Sequence, residues 1–318
     1  MSITHILRKI KTKLAIYYYW LKYREKVKKY ITNFWTCRVL LRLNQLLIFD
    51  EKKGILVRCG LNKLGNRSIS NNFNVLKNQL SSNFPTGIFL TENKDVILAG
   101  ETILCGNAIR VETIDDYFIE KTITLLNDSL YKQNKRLIEF DYRKEMDKLD
   151  FVFPEYPFTW ISEVKKIKDA IKNRISKTGG FAENNVMNTL IHGDLTFRNM
   201  LISCNEPEIY DFCRSEISFP EFDVYLFAID KDVHMGRIVN FQILFKKIIH
   251  FIKNSGHIPE IEIFYRIVPD YQVNQKIEGV LKYLFLYRMV VLSLECFYVF
   301  KKNSSIPLEI LTSIKGEL

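Results

Sequence analysis

Residues 190–230 read LIHGDLTFRNMLISCNEPEIYDFCRSEISFPEFDVYLFAID, and the reading of the whole chain turns on them. Asp194 is followed by Asn199 five residues on and by Asp211 twelve further, with His192-Gly193 just before the first. Met200-Leu201-Ile202 and Glu208-Ile209-Tyr210 are short apolar runs on either side of Ser203-Cys204-Asn205-Glu206-Pro207, which has the composition of a turn. The pattern predicts a tight hairpin in which Asn199 starts one strand and Asp211 ends the other. Such a hairpin returns Asp211 beside Asn199, with Asp194 on the loop before it. Phosphoryl transfer uses this set of groups. One carboxylate accepts or orients the proton of the attacking hydroxyl, while a second carboxylate and an amide oxygen suit a hard cation such as Mg²⁺. Each acid taken alone is an ordinary cap or turn residue. Their coincidence carries the reading.

The string HGDLTFRN with Gly193 after the histidine, followed by IYDF, resembles the aminoglycoside phosphotransferase and choline kinase-like branch of the protein kinase-like superfamily. The resemblance covers about 35 residues. It implies an α+β, two-lobed protein-kinase-like fold, with a small β-rich amino-terminal lobe and a larger, mainly helical carboxy-terminal lobe. It also implies that Asp194 is the catalytic base, that Asn199 and Asp211 are metal ligands, and that His192 and Asp223 brace the catalytic loop. The cofactors implied are ATP or GTP with Mg²⁺, and the acceptor is a hydroxyl of a sugar, amino sugar or amino alcohol.

The lobe pattern is also readable from the residues. Gln45–Phe49 and Ile55–Cys59 are β-prone runs around the turn residues 50–54, and residues 68–80 have helical spacing. Further strand-like runs lie at Gly87–Leu90, Val96–Leu98 and Ala108–Val111. Beyond about residue 115 the pattern becomes helical, over 117–133, 161–175, 238–253 and 275–300. The expected organisation is a basic helical extension over 1–33, a nucleotide-binding lobe over 34–110, and a helical lobe with the catalytic loop over 111–318.

The nucleotide side departs from the family pattern. Where a strand lysine is expected, Ile55–Cys59 offers Arg58, either as a phosphate ligand or as a strand residue facing solvent. Lys63 is a rival from the following loop, and Asn72 stands where a helix glutamate is expected. Arginine is not equivalent to lysine at such a position. No G-x-G-x-x-G precedes the strand. LAGETILCG resembles the segment joining the lobes, which would put Glu101, Ile103 and Leu104 near the purine. This divergence keeps open a catalytically inactive kinase-like protein. A protein Ser/Thr kinase also stays open, although no A-P-E follows.

Residues 1–30 hold nine Lys/Arg and one acid, so this segment carries most of the net charge of +10 and the rest of the chain is close to neutral. Concentration at one end does not fit a nucleic-acid groove. Leu14–Leu21 is apolar and aromatic but too short to span a bilayer. Two readings follow: a helix suited to an anionic membrane surface, or a helix packed on the body with a solvated basic face. Val280–Phe300, interrupted by Lys282, Arg288 and Glu295, reads as a buried helix. The six cysteines show no CxxC spacing and read as mostly buried thiols, with no zinc site. The cytoplasm is the expected compartment, with peripheral contact at the inner face of the membrane as an extension. A hydrolase is disfavoured, since there is no G-x-S-x-G and His5, His234, His250 and His257 show no catalytic partner. Asp115, Asp116, Glu221, Asp230 and Asp232 are loose members of an acidic patch for a cationic acceptor.

Overall fold

In the computed structural model the described residues are 3–42, 44–78, 81–93, 96–109, 114–149, 157–177, 185–233, 241–253, 258–300 and 306–318. His234, His257, the Gly179-Gly180 helix stop and Asn254-Ser255-Gly256 lie outside them, as do the side chains of His5 and Asp232. In chain order the elements begin α1 (Ile3–Val27), β1 (Arg38–Arg42), β2 (Gln45–Asp50), β3 (Ile55–Gly60), α2 (Lys63–Leu76), β4 (Gly87–Asn93), β5 (Val96–Thr102) and β6 (Asn107–Ala108). Next come α3 (Asp116–Leu126), which runs through a π turn at Asn127–Tyr131 into α4 (Lys132–Asn134), then β7 (Arg136–Glu139), α5 (Tyr142–Leu149), α6 (Phe158–Lys177) and β8 (Asn185–Ile191). The hairpin β9 (Met200–Ser203) and β10 (Glu206–Ile209) and the strand β11 (Glu216–Ser218) precede α7 (Glu221–Val233), α8 (Phe241–Lys253), α9 (Pro259–Ile267), α10 (Gln275–Phe300) and α11 (Ile306–Glu317). The chain divides into two compact units: 1–107 with 201–215, and 108–200 with 216–318.

The first unit is built on an antiparallel sheet of order β1-β2-β3-β5-β4. Its β2–β3 turn closes with Gly54 at φ +64°, and the Asp50 carboxylate accepts the Lys53 and Thr32 amides. Helix α2 starts earlier than its spacing predicts because Asn62 caps it, accepting the Gly65 amide at 2.9 Å. Gly65 is required there, since a Cβ would lie 2.0 Å from the Asn44 carbonyl oxygen. Tyr23 and Val27 of α1, with Ile31 and Phe34 after it, share one core with Leu46, Ile48, Val57, Cys59, Val96 and Leu98. Each such buried side chain contributes about 1.5–3 kcal/mol, so α1 is a structural part of this unit. The hairpin β9–β10 joins β6 in a ribbon of order β10-β9-β6. Its turn is shorter than predicted: Cys204 and Asn205, at φ 52° and 64°, form a two-residue loop, and Pro207 falls on the edge strand.

The second unit holds a small sheet of order β11-β8-β7 among helices. Val164, Ile167, Ile171 and Ile175 of α6 are buried, as their spacing predicts. On α10 the residues from Val280 to Leu294 are largely buried, including Lys282, which pairs with Glu278 at 2.9 Å, and Arg288. Among the described residues no helix is long and apolar enough to cross a membrane. The cysteines depart from expectation: of those described, Cys59 is buried, while Cys105 and Cys204 are exposed.

Of the acids read as a loose patch, Asp115 and Asp116 are exposed and Glu221 is not. Asp115 caps α3 through the Phe118 amide, and Glu221 is fully buried at the start of α7. Burial raises the Glu221 carboxyl to about 8 against an ordinary 4.5, opposed by hydrogen bonds from its surroundings, including the Tyr265 hydroxyl. The folded state therefore retains a proton that the unfolded chain has released, and stability falls as pH rises from about 4.5 to 8. Glu221→Gln should flatten that decline. Urea denaturation midpoints across the range check it, and an unchanged slope contradicts the burial argument.

Candidate active site

The chain leaves β8 at Ile191 and enters a sharp turn in the second unit. Gly193 sits at φ +81°, where a side chain is strained. The turn is held by Asp223, the third residue of α7. Its buried carboxylate accepts the His192 amide at 2.7 Å and the Gly193 amide at 2.8 Å, and the Tyr131 hydroxyl donates to it at 3.2 Å. Burial raises the Asp223 carboxyl, while nearby His192 and the two amides pull it back. From the α10 side, Arg288 donates to the Gly193 carbonyl at 2.8 Å and to Glu216 at 2.7 Å. His192 is fully buried, and its Nδ1 accepts the Asp194 amide at 3.2 Å, so its part here is to shape the loop.

These contacts order the two polar side chains of the loop. The Asn199 amide nitrogen donates to the Asp194 carbonyl at 2.8 Å and to the Asp194 carboxylate at 3.2 Å. Both its N–H groups are thereby committed to Asp194, and its amide oxygen remains as an acceptor or hard-cation ligand. Asp230, read from the sequence as a loose member of an acidic patch, also supports this loop. It accepts the Phe197 amide at 2.8 Å, fastening the middle of the loop. The signal was present: Asp223 and Asp230 are seven residues apart on α7, two turns along one face.

In the first unit a second polar cluster surrounds Arg58. Arg58 pairs with Ala99 in the β3–β5 register, so Glu101, two residues on, lies diagonally on the same face of the sheet. Arg58 is 3% exposed and donates from Nε and Nη2 to one Glu101 oxygen at 3.0 and 2.9 Å. Its Nη1 reaches Asp211 at 3.1 Å and Gln45 at 3.4 Å. The solvent-facing reading of Arg58 is thereby overturned. Burial works against its charge, but Glu101 and Asp211 together hold the guanidinium well above its ordinary value. Asn72 donates to the other Glu101 oxygen at 2.5 Å and accepts the Phe212 amide at 2.8 Å. Asp211 adopts a left-handed conformation at φ 67°, ψ 58°. Lys63 is exposed at the first turn of α2 and is not part of this cluster.

The three residues read as purine contacts are placed as follows. The Glu101 carboxylate is turned to Arg58 and Asn72. The Ile103 amide donates to the Gly54 carbonyl at 3.0 Å, and Leu104 is half-buried. Arg42 at the end of β1 pairs with Gln45 at the start of β2. The Asn44 carbonyl accepts the Leu61 amide at 2.8 Å. Among the described residues no cluster of three or more His, Cys, Asp or Glu is arranged to hold a metal. A carboxylate and an amide oxygen nevertheless fit Mg²⁺, which takes one or two protein ligands together with substrate phosphates.

The fold is one seen in solved structures of small-molecule kinases. No protein-family model and no curated protein sequence matches the chain. Solved structures do match. The amicoumacin kinase hAmiN, in complex with AMP-PNP, Ca²⁺ and Ami, is similar at TM-score 0.61 and 12% identity over 96% of this chain and 95% of that one. Choline kinase LicA from Streptococcus pneumoniae is similar at TM-score 0.55 and 11% identity, over 93% and 97%. A thermostable mutant of aminoglycoside phosphotransferase APH(4)-Ia, bound to AMP-PNP and hygromycin B, is similar at TM-score 0.51 and 10% identity, over 92% and 95%. At such identities the likeness establishes the fold.

Arg288→Met should leave the buried Gly193 carbonyl unpaired and cost about 1–3 kcal/mol in stability. Arg288→Lys should restore little, because an ammonium lacks the planar fork that reaches both Gly193 and Glu216. Denaturant titration of the two variants against the parent tests this, and a Lys variant as stable as the parent rejects it.

Proposed function

We propose that the chain is a small-molecule kinase that transfers the γ-phosphoryl group of a nucleoside triphosphate, ATP or GTP, to an alcohol acceptor. The observation that carries the reading is the catalytic loop, in which Asn199 is locked to Asp194 and the turn beneath them is braced by Asp223, Asp230 and Arg288. The fold shared with kinases of choline, amicoumacin and aminoglycosides supports it.

On this reading Asp194 orients the acceptor hydroxyl and takes its proton as the oxygen attacks. Asn199 and Asp211 hold Mg²⁺, which when bound neutralises charge on the transferring phosphates. Arg58 steadies Asp211 by donating to it from Nη1, and so acts on the phosphate side through it. Ile103 and Leu104 lie on the purine side. Glu101 acts through Arg58: it supplies from β5 the carboxylate that the family carries on the helix, where this chain has Asn72. The acceptor is a hydroxyl of a sugar, amino sugar or amino alcohol. The basic amino terminus favours an anionic or membrane-borne one, such as a saccharide intermediate of a cell-surface glycan.

Asp194→Asn should lower kcat on the order of 10²–10⁴-fold with the fold intact. Near-parental turnover in that variant would sink the assignment. In thermal-shift assays Mg²⁺ with ATP or GTP should stabilise the parent and leave Asp211→Asn unmoved, because a ligand stabilises only the state that binds it. Absence of any shift in the parent argues for a kinase-like protein without activity.

The displaced carboxylate has its own test. Glu101→Gln should raise KM for the nucleotide and cost about 3 kcal/mol, the scale for breaking a buried pair. Adding Asn72→Glu to that variant returns a carboxylate from the helix side, and it should recover much of both losses. A double variant no better than Glu101→Gln alone shows that Glu101 does not stand in for the helix residue.

A further inference from the structure

Helix α1 carries two apolar faces. Ile16, Tyr19, Trp20, Tyr23 and Val27 form the packed one and cover the sheet of the first unit. Ile10, Leu14, Tyr17, Tyr18 and Leu21 form a second stripe, at spacings of four, three, one and three. At 3.6 residues per turn these five fall within about 100° of the helix circumference, roughly opposite the packed face. They are left in solvent: Leu14 is 64% and Tyr18 60% exposed. Trp35, 72% exposed, stacks on Tyr17 with ring centroids 6.4 Å apart and widens the patch.

Charge is arranged around this stripe. Lys13 and Arg24 flank one side, and Lys11 and Lys22 flank the other. The single acid of the segment, Glu25, is engaged by Arg24 and Lys28. Isolated exposed apolar residues need no explanation, but a contiguous stripe rimmed by one sign of charge does. Leu, Tyr and Trp bordered by lysines match the chemistry of a bilayer interface. There aromatic rings sit at headgroup depth, aliphatic side chains enter the acyl boundary, and lysine stems reach to anionic headgroups. A protein surface of the same size would have to bring both an apolar groove and acids along both of its rims.

We propose that this outward stripe of α1, extended by Trp35, is a docking surface for an anionic membrane, with the helix lying in the interface plane. On this proposal the packed face of α1 answers one reading of the amino-terminal segment and the outward stripe answers the other. The proposal extends the peripheral contact expected from sequence by assigning it a face. It is independent of the kinase assignment, since vesicle binding is read without turnover.

The test is sedimentation of the full chain with vesicles of mixed phosphatidylcholine and phosphatidylglycerol, against vesicles of phosphatidylcholine alone. The parent should bind the mixed vesicles, and less so as salt rises. The variant Leu14→Ser/Tyr18→Ser/Leu21→Ser alters only exposed side chains. It should lose binding while keeping the parental melting temperature and the Mg²⁺-nucleotide thermal shift. In a second variant Lys11, Lys13 and Lys22 become Gln, and each change should weaken partitioning about five-fold. Lack of binding by the parent, or undiminished binding by both variants, overturns the proposal. So does a parent that elutes as a dimer which the Ser variant dissociates, because the stripe would then be covered by a second copy of the chain.

Discussion

The buried carboxylate of Asp223 is the constraint on which the geometry of the loop 192–199 depends. It is held out of water at 1% exposure and satisfied by two consecutive backbone amides and a tyrosine hydroxyl. Two adjacent amides can converge on one carboxylate only if the chain turns sharply between them, and Gly193 permits that turn at positive φ. Arg288 closes the other side of the same peptide. With the turn fixed, Asp194 and Asn199 emerge already hydrogen-bonded to each other. Under the proposed function, preorganisation of this kind spares Asp194 the cost of reorientation during reaction.

The Arg58 cluster solves a different problem by relocation. A buried guanidinium is stable only when paired, and its pairing must use its planar geometry. Arg58 satisfies this through a neighbouring strand, by way of the register that sets Glu101 diagonally across from it. Helix α2 contributes an amide, Asn72, that bridges Glu101 to the Phe212 backbone. The charge pair is thus fixed within the sheet, and the helix adds only neutral hydrogen bonds. A lysine point charge would make poorer use of three acceptors spread around one plane.

Much of this was legible in the sequence. The spacing of Asp194, Asn199 and Asp211, the hairpin between the last two and the later Asp223 all follow from local chemistry: turn residues, short apolar runs and a helix start. The helical stripe of α6 and the strands β2 and β3 follow from periodicity in the same way. Asp230 was read only as a surface acid because its partner is a backbone amide 33 residues away; its spacing from Asp223 on α7 was the one local trace of the loop contact. Glu101 was read by its position in a segment, whereas its carboxylate is turned by strand register towards Arg58. The early start of α2 depends on Asn62, whose capping role shows only once the chain direction is known.

The sequence by itself determined the passage from a β-rich to a mainly helical stretch, the spacing of Asp194, Asn199 and Asp211, and the concentration of positive charge at one end. These depend on neighbours a few residues apart, within reach of helical and strand periods. Only the tertiary structure decided which acids are buried supports and which are exposed caps, which carboxylate answers Arg58, and which of the two apolar faces of α1 the sheet covers. Those outcomes rest on contacts between segments distant in the chain. Packing and desolvation select among residues there that, in one dimension, look alike.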